Sequence, residues 1–303
     1  MDLSFLDSLR EAIAETVRAG LPEPQASLLL GTILGIKSGF PPDFYESLRI
    51  TGTLHVVVVS GFNITVIINT LAQALVFIPS RLRFFITLAF LTAFVLLVGA
   101  NAPVVRAAIM GSIALLGTIF GRQNDALRAF LIAAIGMLIF QPSWAAELSF
   151  QLSFLATLGL ILVFPRLDQL LPGKGLLLRE TFLTTISAQI LVWPLLAYHF
   201  GTVSVLSPVV NVLVLWTIPI ITYIGLVTAT IGLLVSNIVV LLMIPARVFL
   251  DYFIWIVERF SALKVGYFAV SQFSWVALIL YFVVLGGGLW FLYQISTEKQ
   301  LKS

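Results

Sequence analysis

The sequence predicts an all-α fold, a polytopic helical bundle integral to a membrane, and three observations carry that reading. Charged residues make up only 10% of the 303, against about 25% in an average soluble domain. Hydrophobic residues reach 60%, and the mean hydropathy is +1.08. The apolar residues fall in runs of span length separated by short polar loops. One span takes about 20 apolar residues, which leaves room for about eight to ten transmembrane or re-entrant helices. Together these exclude a soluble enzyme, a disordered chain and a disulfide-rich secreted domain.

Residues 1–24 read as an amphipathic N-terminal helix. Leu3, Leu6, Leu9, Ile13 and Val17 recur at helical spacing with acids between them, and Gly20 and Pro22 end the pattern. Being acidic and amphipathic, this segment does not read as a cleavable signal peptide; it is expected on the membrane surface or against the bundle. Residues 25–296 form the transmembrane domain and 297–303 a polar tail. Ala26–Gly39 is apolar but short for a span, and Gly31 and Gly35 give it a small face suited to close packing. Spans are then expected near Leu54–Ile78, Phe84–Gly99, Val104–Phe120, Ala126–Phe140, Leu148–Phe164, Phe182–Phe200, Val205–Val235, Ile238–Val257 and Ser274–Tyr293. Two are interrupted. Ser60-Gly61 and Asn63 break the first, while Pro208 and Pro219 make Val205–Val235 a broken or re-entrant element followed by a full span. Irregular backbone at that depth is tolerated where protein buries it or where it lines a wet cavity, and paired broken segments point weakly to a transport path.

Loop charges suggest an orientation. Arg81 and Arg83, Arg122 and Arg128, and Arg166, Lys174 and Arg179 fall in alternate loops, against Arg106 alone in the loops between. The positive-inside rule then puts Pro79–Arg83 in the cytoplasm and Leu54 outside.

No catalytic set is legible, and no enzyme activity or cofactor is expected. Cysteine is absent, which removes disulfides, thiolate metal sites and a cysteine nucleophile. His55 and His199, the two histidines, are too far apart in sequence to suggest a metal centre. Gly173-Lys-Gly175 is no P-loop, lacking the preceding glycine and the following Ser or Thr. Intramembrane acids are scarce; Asp251, four residues after Arg247, reads first as a helical ion pair, with a place in a pathway as the alternative.

What the spans hold instead is neutral polar groups and one cation. His55, Ser60, Gly61 and Asn63 mark the first span, and Arg106 stands near the start of the third. Ser149, Gln151 and Ser153 open the fifth, Gln189 lies in the sixth, and Ser207 and Asn211 flank Pro208. Each has an ordinary explanation, a hydroxyl bonding back to its own helix or an amide pairing across helices. Together they suggest a polar interior. Arg106 is the costly one; a guanidinium there, just inside Asn101-Ala-Pro103, can hold a phosphate bidentately.

Assembled, these stretches resemble the competence domain of the ComEC family, an inner-membrane DNA-uptake channel. LLGTILGIKS (Leu29–Ser38) resembles the family's glycine-paired lead-in, and TLHVVVVSGFNITVI (Thr53–Ile67) its signature, matching at His55, Ser60 and Gly61. APVVRAAIM (Ala102–Met110) matches at Arg106 and Met110. LSFQLSFLATLGL (Leu148–Leu160) is the closest match, and Gln189–Asn211 adds Pro194, Phe200 and Asn211. The resemblance covers roughly Gln25–Ala262. The family's second histidine after Ser-Gly is replaced by Phe62-Asn63. Many members also carry an OB-like and a metallo-β-lactamase-like domain; neither pattern is here, so the chain reads as a pore-only member or a piece of a longer protein.

The resemblance implies a bacterial multi-pass inner (plasma) membrane channel that passes single-stranded DNA into the cytoplasm during natural transformation. It also implies membrane lipid, a separate nuclease, a DNA receptor and a helicase or motor as partners, with a homo-oligomer open. Phe150 and Phe154 can stack on bases, although phenylalanines in spans are mostly core or lipid contacts. The competing reading is a secondary transporter of a small solute or lipid, which needs a closed midplane pocket with Asp251 in it. A structural scaffold is a third reading, and the intramembrane polar groups speak against it.

Overall fold

A computed structural model describes residues 3–36, 38–57, 61–119, 125–171, 177–235, 238–263, 266–270 and 274–301. In chain order the helices are α1 (Leu3–Gly20), α2 (Gln25–Leu34), α3 (Pro42–Thr51), α4 (Gly61–Ala74), α5 (Ser80–Val98), α6 (Ala102–Ile119) and α7 (Ala126–Phe140). After a 3-10 turn (Pro142–Ala146) come α8 (Leu148–Leu162), α9 (Phe164–Leu170) and α10 (Leu177–Phe200). Strand β1 (Thr202–Ser204), α11 (Ser207–Val214), α12 (Thr217–Leu234), α13 (Val239–Ala262), β2 (Tyr267–Ala269) and α14 (Trp275–Leu301) complete the order. The protein is an all-α, multi-pass membrane protein. Among the described residues, α5, α8–α9, α10, α12 and α13 are each long and apolar enough to cross a bilayer.

The chain divides into two compact units, Met1–Ala145 with Leu213–Lys264, and Ala146–Val212 with Val265–Ser303. In the first, α2 is the buried centre. Ala26 through Leu34 are all buried, between α1, α12 and α13. The approach is close because Gly225 of α12 leaves room for Leu29. The N-terminal helix packs against the bundle, seating Leu6, Ile13, Ala14 and Val17, with Gly20 opposite Met243 and Val239 of α13. A second core joins α4, α5 and α6 through Ile64, Ile67, Ile68, Leu91, Phe94 and Val104.

A ten-residue helix that ends inside protein must have its terminal peptide groups satisfied there, and α2 shows how. At its start, Glu23 accepts from the Ser27 N–H at 3.2 Å, and Asp251 of α13 accepts from the Gln25 side chain. At its end, Gly35 adopts φ 68°, so that its N–H and that of Ile36 return to the Gly31 and Leu30 carbonyls. Asn63 of α4 donates to the Thr32 carbonyl at 2.9 Å and Arg10 of α1 to that of Leu34 at 3.3 Å. Acid therefore sits at the positive end of the helix and a cation at the negative end.

In the second unit α8 packs on α10 with no side chain between them at Gly159. A Cβ there would lie 2.2 Å from the Ser187 carbonyl oxygen. Arg179 ties α10 to α9, pairing with Asp168 at 2.7 Å and donating to the Leu171 carbonyl. Strands β1 and β2 pair antiparallel, Val203 opposite Phe268. Pro194 lies inside α10 and cannot donate to the Ile190 carbonyl; Tyr281 of α14 does so instead, at 2.9 Å.

One expectation needed correction, and one helix was not foreseen. In place of one span at Leu54–Ile78 the described residues show a shorter helix, α4 (Gly61–Ala74), because Gly52 at φ 67° ends α3 and residues 54–57 turn. A hydropathy window averages across such a turn. Helix α3 went unforeseen because its sequence is polar, yet Phe44, Leu48 and Thr51 are buried and it packs on α13. The broken element after Val205 is present as the short α11, a two-residue turn and the full-length α12.

Candidate functional site

The quoted stretches form two groups, each within one unit. In the first unit the glycine-paired stretch, the His55–Asn63 stretch and the Arg106 stretch meet. Gly31 packs on the turn that opens the second stretch: a Cβ on Gly31 would lie 2.2 Å from the Val57 carbonyl oxygen. Asn63, buried, reaches back to Thr32, and its Oδ1 has no partner among the described residues. Gly61, the first residue of α4, faces Arg106 of α6 so closely that a Cβ would stand 2.9 Å from the guanidinium Nη2. Only glycine leaves the guanidinium that position without displacing it.

Arg106 is half-buried in the second turn of α6, and its Nη1 lies 3.6 Å from Met110 Sδ. A thioether is a weak acceptor, so this contact helps to orient the guanidinium. A guanidinium offers paired N–H donors and suits an anion such as phosphate. His55 lies in the turn between α3 and α4 against the Gly52 backbone, and Ser60 falls outside the described residues.

In the second unit, Gln189 of α10 and Asn211 of α11 both donate to the Ser207 hydroxyl, Asn211 at 3.4 Å. All three are buried. Gln189 Oε1 and Asn211 Oδ1 have no partner among the described residues, and each is an acceptor able to take an N–H or O–H group. Pro208 fits at the first turn of α11, where its missing N–H costs nothing. Ser149, Gln151 and Ser153 lie half-buried along α8, Ser149 beside the Glu147 carboxylate at 3.4 Å. Phe150 and Phe154 stack on each other, centroids 4.2 Å apart, and both are buried. In this arrangement they are core.

Asp251 takes the ordinary reading. Its carboxylate is 3.6 Å from Arg247 Nε and also accepts from Gln25. Among the described residues no group of three or more His, Asp or Glu is placed to hold a metal ion. Ser207, the shared acceptor, was visible only as a neighbour of Pro208. The Tyr281 and Asn63 bonds to helix carbonyls had no sequence signal, because their partners are backbone atoms far along the chain.

Comparison with known proteins gives the family. Residues 32–294 match the family described as Competence protein. The chain is similar to ComE operon protein 3 of Bacillus subtilis (strain 168), 27% identical over 236 residues, covering 76% of this chain and 29% of that protein. It is also similar to an uncharacterized protein of Aquifex aeolicus (strain VF5), 31% identical over 127 residues, 42% of this chain and 30% of that protein. The chain thus spans less than a third of the length of either relative. No solved structure matches it.

Proposed function

The chain belongs to the competence protein family, and from that premise we propose that it passes single-stranded DNA through a bacterial inner membrane into the cytoplasm during natural transformation. The observation that carries the reading is the close fit of Gly61 to the Arg106 guanidinium. A guanidinium matches the paired oxygens of a phosphate. A single such charge binds each phosphate weakly enough to release it. The Gln189–Ser207–Asn211 group supports the same reading, since its free amide oxygens accept the exocyclic N–H groups that unpaired bases present.

The solute-transporter reading loses its best residue, because Asp251 is engaged by Arg247 and Gln25. Conduction in this proposal is passive, and a separate motor or capture of the strand inside supplies direction. A nuclease, a DNA receptor and a helicase are the expected partners.

The test is entry of a fluorescent single-stranded oligonucleotide into liposomes holding this chain, with single-strand-binding protein inside as a trap. Entry that falls in Arg106→Ala, while a neutral dye stays excluded, supports the proposal. Entry that is unchanged in Arg106→Ala removes the arginine from the path. No entry with folded protein means the chain is not a channel by itself.

A further inference from the structure

A cavity of about 310 Å³ lies between α4, α5 and α6 at the end of α5 marked by its two arginines, near the lower limit of ordinary ligand sites. Its polar wall consists of donors. Arg83 forms no ion pair among the described residues. Asn69 and Ser80 stand at the side, and α5 begins there with Pro79 and no side-chain cap, so its first N–H groups are available. Thr87 also lines the cavity; it is fully buried, and its hydroxyl has no partner among the described residues. Threonines along helices here commonly bond to the carbonyl four residues back, as Thr92 does to Leu88, which makes the lone Thr87 hydroxyl a group lacking its ligand. No lining residue is acidic.

We infer that this cavity binds the headgroup of an anionic phospholipid, with the phosphate on Arg83 and the α5 N-terminus. A phosphodiester accepts from each of these donors, and guanidinium matches its paired oxygens. The surroundings favour lipid over nucleic acid as the source of the phosphate. Val76, Phe77, Leu82 and Phe85, the neighbours in sequence, are exposed apolar side chains, and Phe84 and Leu115 line the cavity's apolar side. A basic pocket between spans at the membrane surface is where headgroups are recognised. The site is separate from Arg106 and does not depend on the DNA-channel reading.

Native mass spectrometry of the intact chain in non-ionic detergent, titrated with phosphatidylglycerol or phosphatidylcholine, tests it. Phosphatidylglycerol is expected to bind at one saturable site. Arg83→Gln should weaken it about tenfold, the loss of one charge-assisted contact, whereas Arg81→Gln, an equal charge change at an exposed neighbour, stays within twofold. Asn69→Leu, at an exposed position where folding is not at risk, should weaken it several-fold. Equal loss in the Arg81 and Arg83 variants overturns the site in favour of diffuse surface charge. So does equal binding of phosphatidylcholine, or displacement by inorganic phosphate or a short oligonucleotide at matched concentration.

Discussion

Tyr281 and Pro194 make a quantitative test of how the second unit holds together. Proline has no N–H, so the Ile190 carbonyl, one turn back in α10, loses its helical donor. The Tyr281 hydroxyl takes that place at 2.9 Å. Tyr281→Phe deletes the hydroxyl and little else, leaving a carbonyl unpaired in apolar surroundings. Mutational series put that cost at about 1–3 kcal/mol, and cross-helix bonds inside membranes average about 0.6 kcal/mol. The half-buried position of Tyr281 favours the lower end, about 1 kcal/mol, a factor of about five in the unfolding equilibrium. Pro194→Ala returns an N–H to the helix, so in that background Tyr281→Phe should cost less than about 0.3 kcal/mol. The coupling energy of the cycle is then about 0.7 kcal/mol. Reversible unfolding in mixed detergent–lipid micelles, followed by tryptophan fluorescence, measures all four proteins. Equal cost of Tyr281→Phe in both backgrounds would refute the reasoning, as would no cost in the wild-type background.

Further predictions concern the first unit. Alanine is favoured over glycine in a helix by about 1 kcal/mol, so Gly136→Ala, with nothing within 4 Å, should raise the thermal midpoint. Gly31→Ala should lower it, because the new Cβ meets a backbone oxygen at 2.2 Å and overpacking costs about 1–3 kcal/mol; the same sign at both sites would contradict this. In Gly61→Ala the nearest atom is the mobile end of Arg106, so stability should change by less than about 1 kcal/mol. Oligonucleotide entry should nonetheless fall as in Arg106→Ala, a split that parallel melting and uptake assays read. Asn63→Ala orphans the Thr32 carbonyl and should destabilise by about 1–3 kcal/mol, with faster hydrogen exchange at the end of α2; unchanged exchange there would rule the cap out.

Much of the architecture was legible. The seats of α5, α7, α10 and α13 followed from apolar run length, and α1 from its stripe of Leu6, Ile13 and Val17, now buried. That the element after Val205 is broken was legible from its length and prolines, but the turn falls at 215–216, with Pro208 inside the first turn of α11. Of the candidate residues, Gly61 and Arg106 are brought together, as are Gln189 and Asn211 through Ser207. His55 lies in the turn before α4, and Ser149, Gln151 and Ser153 lie half-buried along α8. Helix α3 was missed because its burial comes from packing on α13 and not from its own polar composition.

The sequence by itself determined the apolar, helical class and that some of its spans are interrupted, since those depend on local hydropathy and on proline and glycine. Tertiary structure alone decided what each break is for. Helix α2 can end within the fold because Asn63 and Arg10, distant in sequence, pair with its last carbonyls. A buried peptide group must find a partner wherever the fold brings one, and composition carries no record of which residue that is.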